Sequence, residues 1–154
     1  MRTTRALVPT IGASIALLAF AQASRTPPAS PDHPTPEQAT MKIHYLEIVT
    51  PDVDATCAAL EKTHGVTFAA PSPALGNART APIAGGGRMG VRAPLRETET
   101  PVVRPYRYVE DLEDAVREAE ANGAIVALPS MDLPGEGRIA IVIQGGIEHG
   151  LWSK

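Results

Sequence analysis

Hydrophobic and polar positions run along this chain in one order, twice. In the later copy, Tyr106 to Val109 is aromatic and β-branched, which suits a pleated, half-buried strand. Asp111 stands where a carboxylate accepts the free N–H groups of a helix's first turn. Leu112, Ala115, Val116 and Ala119 follow at i, i+3, i+4 and i+7, so the spacing predicts a helix with one apolar stripe. Asn122 and Gly123 end it, because glycine takes the left-handed backbone of a helix stop without a Cβ clash. Ala124 to Leu128 reads as a short buried strand that stops at Pro129.

The earlier copy uses the same grammar. Leu46 to Val49 precedes Asp52, a helix carries Val53, Cys57 and Leu60 on one face, and His64 with Gly65 closes it. Val66 to Ala70 then reads as a strand running to Pro71. Asp52 and Asp111, Gly65 and Gly123, Pro71 and Pro129, and Gly90 and Gly150 each lie about 59 residues apart. Internal repetition of this kind fixes the plan of a fold. Two more strands complete each copy: Asn77 to Ile83 and Arg88 to Ala93, then Arg138 to Gln144 and Ile147 to Trp152. Gly85, Gly86 and Gly87 precede a strand rather than a helix, so they read as a hairpin turn and not a phosphate loop. Gly145 and Gly146 make the matching turn. Leu95 to Val103 is polar and links the halves. Pro129 to Gly137, with Pro134 and Gly135 inside it, reads as a mobile loop that could cover an opening between the halves.

The N-terminal part has a different character. Arg2 and Arg5 precede a short apolar run from Ile11 to Ala21, and Ala21-Gln22-Ala23 follows the small-x-small rule of a cleavage site. Residues 1–23 are therefore expected to be a signal peptide, cut after Ala23, with export to the periplasm or the medium. A membrane-spanning helix needs about 20 apolar residues; this run is shorter and is broken by Gly12 and Ser14, so no stable membrane span is expected after cleavage. Residues 24–40 hold Pro27, Pro28, Pro31, Pro34 and Pro36 and almost no large apolar group. Such a segment buries too little surface to fold and is expected to be a disordered tether. The folded domain is then residues 41–154.

Composition narrows the partners. A net charge of −3 leaves no basic footprint for nucleic acid. A single cysteine, Cys57, excludes an internal disulfide, and its place on an apolar stripe makes it a small buried hydrophobe. No Gly-x-Ser-x-Gly, His-Glu-x-x-His or Cys-x-x-Cys pattern is present.

Taken together, residues 41–154 resemble the vicinal oxygen chelate superfamily, which includes glyoxalase I, extradiol dioxygenases and bleomycin-resistance proteins. The resemblance rests on the paired modules, on the run Tyr106-x-Tyr-Val-Glu-Asp-Leu-Glu-Asp-Ala-Val, on Gly137-Arg-Ile-Ala, and on Gly146-Ile-Glu-His-Gly-Leu-Trp152. The closing Gly-Leu-Trp is similar to a hydroxylase-like or glyoxalase-like subgroup. The fold class it implies is α+β: two tandem βαβββ modules, residues 41–95 and 103–154, curling a mostly antiparallel sheet into a pair of half-barrels with helices outside. Such modules pair within one chain or between two, so a homodimer is among the outcomes. Family enzymes hold a divalent metal with His, Gln or Glu on the first and last strand of each module. Here those positions fall on Gly90 and Gly150, on Arg104 or Pro105, and on Tyr45 with His44 and Glu47 beside it. His33, His64 and His149 are scattered elsewhere. No metal and no other cofactor is expected.

Strand alternation suggests what lines the concavity instead. It puts Tyr45 with Glu47, Arg88 with Arg92, Tyr106 with Tyr108, and Glu148 with Trp152. If those faces are concave, Tyr45, Arg88, Arg92, Tyr106, Tyr108 and Trp152 form a substrate-binding pocket, with Glu47 and Glu148 as candidate catalytic carboxylates. The plainer reading pairs Arg88 with Glu148 and Glu47 with Arg92, and leaves Tyr106 and Trp152 as core. Two functions follow. One is an exported protein that binds a small organic molecule without metal, as bleomycin-resistance relatives do. The other is a glyoxalase-like enzyme, with Glu47 or Glu148 as general base and an Arg or Tyr steadying an oxyanion, or with a divalent metal.

Overall fold

Period-two alternation and a repeated helix build the sheet around a seam. The computed structural model describes residues 40–154. The expected signal peptide, and the expected tether up to residue 39, lie outside the described residues. The first module contains β1 (Ile43–Val49), α1 (Val53–His64), a 3-10 turn (Pro73–Leu75), β2 (Arg79–Ile83) and β3 (Gly87–Arg92). The second contains β4 (Val102–Tyr108), α2 (Leu112–Ala121), β5 (Ile125–Leu133), β6 (Gly137–Gln144) and β7 (Ile147–Ser153). All seven strands join one open sheet in the order β2-β3-β1-β4-β7-β6-β5. The modules meet within the chain, β1 lying antiparallel to β4 with Leu46 opposite Pro105. On either side of that seam the pairing is parallel, β1 with β3 and β4 with β7. The remaining pairs are antiparallel, so the sheet is mixed but mostly antiparallel, and the fold is α+β as expected.

The two sheet faces bury different things. Toward α2, Leu112 and Ala115 pack on Ala140, Val142 and Leu151. Toward α1, Cys57 and Phe68 pack on Ala81, Met89 and Val91. Burial of the Cys57 thiol raises its pKa, in keeping with a core residue rather than a nucleophile. On the opposite face Tyr45, Tyr106 and Trp152 join Leu75, Ala78 and Ile139. Asp111 caps α2 by accepting the Asp114 amide at 2.8 Å, whereas Asp52 makes no such bond to α1.

Several expectations are corrected. Val66 to Ala70 is not a strand. Phe68 turns inward and its amide donates to Glu61 at 3.0 Å, leaving one ladder-like bond from Ala69 to the Thr80 carbonyl. Asn77 takes φ 62° in a turn, so β2 starts later, at Arg79. Pro129 does not end β5, which continues to Leu133. That strand is at the sheet's edge and has register shifts flanking Leu128, where a missing N–H is tolerated. The expected loop from Pro129 to Gly137 therefore shrinks to a turn at residues 134–136. Finally, β4 begins at Val102, not Tyr106, because Pro105 lies ahead of the β7 register and breaks no ladder bond there.

Two glycines let aromatic rings lie flat on the sheet. A Cβ at Gly90 would collide with the Tyr45 hydroxyl end, and one at Gly150 with the base of the Tyr106 ring. A ring tip swings aside more easily than a ring base. Gly150→Ala should therefore cost about 3 kcal/mol and Gly90→Ala about 1 kcal/mol. Urea unfolding of the two variants measures this, and equal costs would contradict the packing described.

Candidate functional site

The concave face holds a line of alternating charges that crosses the seam. Glu47 on β1 sits at its centre, 6% exposed. Its Oε1 accepts from Arg92 Nε at 2.6 Å, and its Oε2 accepts from Arg104 Nη1 and from the Tyr106 hydroxyl at 3.2 Å. Arg92 turns its outer edge to Glu99, Nη1 and Nη2 donating at 2.8 and 2.7 Å to the two carboxylate oxygens. Arg104 turns its own outer edge to Oε2 of Glu148, with Nε at 2.8 Å and Nη2 bonded to the same oxygen. The order is Glu99, Arg92, Glu47, Arg104, Glu148. Register explains the centre: Glu47 lies opposite Arg104 across the seam and beside Gly90.

Burial and pairing set the protonation states. Burial disfavours the charge on Arg92 and Arg104, but bonds to Glu99 and Glu148 and the Glu47 charge outweigh it and raise both pKa values. The Arg92 fork is the main cause that holds Glu99 down, to about 2; burial opposes it and the Leu95 amide, at 2.7 Å, reinforces it. Burial, with Glu47 nearby, pushes the Tyr45 and Tyr106 phenols up. Both therefore stay protonated, and Tyr106 donates to Glu47. The Tyr45 hydroxyl is buried and has no hydrogen-bond partner among the described residues.

Above this line lies a cavity of about 540 Å³. Tyr45, Glu47, Arg92, Arg104, Tyr106, Glu148 and Trp152 line its charged and aromatic side. Leu128, Met131 and Leu133 of β5, with Ile139 and Ile141 of β6, form an apolar wall. Residues 93–101 cross in front and contribute Leu95, Arg96, Thr98, Glu99 and Thr100. The cover thus comes from the inter-module segment and from the edge strand β5, so Met131 and Leu133, within the stretch expected to be a mobile loop, contribute as strand residues.

Of the eight residues singled out by alternation, Tyr45, Glu47, Arg92, Tyr106, Glu148 and Trp152 line this cavity. Arg88 does not; it pairs with Glu136 at 2.6 Å rather than with Glu148. Tyr108 is partly exposed and packs against His44, 5.9 Å between ring centroids. His44 also stacks on Trp152 at 5.1 Å; burial, then the charges of Lys154, Arg88 and Lys42, lower its pKa and keep it neutral. Arg104 and Glu99 were missed. Pro105 hid the start of β4 and so the register of Arg104. No periodicity marks Glu99, though its being one of several charges in a polar linker between two modules was a signal available.

The donor set does not suit a divalent cation. Gly90 and Gly150 offer no side chain, and tyrosine rings lie over them. Both oxygens of Glu47 are taken by guanidinium groups, and Glu148 is bonded to Arg104. No group of three or more His, Cys, Asp or Glu side chains converges among the described residues.

The fold itself has known counterparts. No protein-family model and no curated protein matches the sequence. Solved structures do. A hypothetical protein from Bacillus halodurans superposes with a TM-score of 0.62 at 13% identity, over 75% of this chain and 96% of that one. Methylmalonyl-CoA epimerase from Mycobacterium tuberculosis gives 0.58 at 16% identity, over 72% and 86%. A glyoxalase/bleomycin resistance protein/dioxygenase superfamily member from Vibrio splendidus gives 0.54 at 13% identity, over 75% and 100%. The chain therefore has the vicinal oxygen chelate fold. No helix among the described residues is long and apolar enough to cross a membrane.

The acid limb of stability should report the Glu99 bond. Its folded pKa, about 2, lies below the ordinary value of 4.5. The stabilisation is therefore complete above about 4.5 and is lost as pH falls toward 2. At neutral pH it amounts to something on the order of 3 kcal/mol. Urea unfolding from pH 7 to pH 3 should show a shallower acid loss in Glu99→Gln than in the unaltered protein. Parallel curves would place the Glu99 carboxylate in water.

Proposed function

We propose that this protein binds a small organic molecule in the concavity of its sheet, without the divalent metal of the enzymes that share its fold. One observation carries the reading: a cavity of about 540 Å³ that opposes an apolar wall to a line of buried, directed charges. Pockets for small molecules have this size and this mixture of apolar surface and few oriented polar groups. Glu47 supports binding over catalysis, since both its oxygens are already engaged by two guanidiniums and a phenol and neither is turned to a substrate.

A second reading draws on Glu148 and on the epimerases among the similar structures. Glu148 bonds Arg104 through Oε2 alone, and its side chain is 38% exposed. It is the carboxylate best placed to take a proton from a bound substrate, while Tyr106 or Arg104 steadies the resulting oxyanion.

We also propose that the chain is exported and cleaved after Ala23, on the strength of Arg2, Arg5, the apolar run and Ala21-Gln22-Ala23. N-terminal sequencing of protein recovered from the envelope or medium should then begin at Ser24; a start at Met1 overturns this.

A thermal-shift screen of small organic compounds, followed by calorimetry and a turnover assay on 2-oxoaldehydes and epoxides, tests the binding reading. A hit should lose at least about tenfold in affinity, about 1.4 kcal/mol, when Leu128→Trp fills the apolar wall. Affinity unchanged by that substitution removes the cavity as the site. Turnover that Glu148→Gln abolishes would decide for the enzyme.

A further inference from the structure

We propose that Glu99 occupies the place of the ligand's own acid: the cavity takes a small organic carboxylate, which replaces Glu99 on the outer edge of Arg92. This rests on the binding reading above and narrows it to one ligand class.

Charge comes first. Glu47 and Glu148 already match Arg92 and Arg104 one for one. Glu99 adds a third carboxylate that the buried line does not need for neutrality. Geometry comes next. Glu99 meets Arg92 by two near-parallel bonds of 2.8 and 2.7 Å. That planar fork fits any carboxylate equally well, whether it belongs to the chain or not.

Attachment is the third point. Glu99 is delivered by residues 93–101, which belong to no strand or helix. The segment's holds on the body near this point are slight. The Leu95 side chain lies against Gly76, its Cδ2 3.3 Å from where a Cβ would be. Glu99 is bonded to Arg92 and, within the segment, to the Leu95 amide, and the Ala93 carbonyl accepts from Arg92 Nη1 at 3.0 Å. Swapping one carboxylate for another keeps the fork filled, so the exchange is close to balanced in hydrogen bonds. The balance is tipped by the ligand's apolar body, which gains burial against Leu128, Met131 and Ile141. A neutral ligand of the same shape gains the burial but cannot refill the fork.

Calorimetry on the full chain with 4-phenylbutyrate and its amide, 4-phenylbutyramide, decides this. Glu99→Gln removes the internal competitor's charge. It should bind phenylbutyrate at least about tenfold more tightly than the unaltered protein, with amide affinity unchanged. Glu97→Gln removes a charge from an exposed position of the same segment, and should leave both affinities as they were. Leu95→Ser, which removes the segment's side-chain contact at Gly76 and also trims the cavity wall, should improve phenylbutyrate relative to phenylbutyramide, as Glu99→Gln does, and guards against a Glu99 variant that fails to fold. Equal gains for acid and amide, or none for the acid, overturn the inference while binding of the amide keeps the broader reading. Binding of neither compound to any variant overturns the inference as well, and an empty compound screen would then overturn the binding reading separately.

Discussion

Two guanidinium groups share one buried carboxylate at the seam of this sheet, and the rest of the concave face is arranged to make that tolerable. A charge removed from water costs several kcal/mol unless its partners are close and well directed. Glu47 meets that condition through Arg92 of β3 and through Arg104 and the Tyr106 hydroxyl of β4, one strand from each module. Each arginine has half of its guanidinium facing inward and needs an outer partner, which Glu99 and Glu148 provide. The line is therefore a property of the paired modules. Neither module alone supplies both of the groups that Glu47 requires.

The repeat made much of this legible. Landmarks about 59 residues apart identified two copies of one unit, and alternation placed Tyr45 with Glu47 and Glu148 with Trp152. Gly90 and Gly150 stood out as positions with no side chain to offer. The sequence was less informative where the two copies differ. Phe68 and Pro71 lead into a 3-10 turn in the first module, while Ile125 to Leu133 makes a long edge strand in the second. Proline was read as a stop at Pro129 because a central strand cannot spare its N–H; an edge strand can. The same residue type at Pro105 concealed the first four residues of β4, itself included, and with them the inward direction of Arg104. Glu99 carries only a weak signal, a charge in a polar linker, for another reason. A side chain held by tertiary contact in a segment of no regular structure leaves no period to detect.

The aromatic residues take on a clearer role once the glycines are considered. Tyr45 covers Gly90 and Tyr106 covers Gly150, so each ring spans the gap to the neighbouring parallel strand. Trp152 packs against both, 5.4 and 5.7 Å from their ring centroids, which are themselves 5.8 Å apart. The three rings seal the floor of the cavity beside the ion line. They lower the local polarity, which strengthens the Glu47 bonds and raises the penalty for breaking any one of them.

This arrangement also explains what the site gives up and gains relative to a metal centre. Arg92 and Arg104 together bring two positive charges to the middle of the sheet, as a divalent cation would. A cation presents that charge in every direction and accepts lone pairs into open coordination positions. Guanidinium groups present it along fixed N–H directions, in a plane, with no vacant orbital. For the ligand class proposed above, the floor selects by the shape of the acceptor rather than by its ability to coordinate. A planar, two-oxygen acceptor matches the outer edge of Arg92; a lone carbonyl or hydroxyl satisfies half of it and leaves a buried donor unpaired, at a cost of about 1–3 kcal/mol. In the proposed binding function, selectivity follows from the geometry of the arginines before any contact with the apolar wall is made.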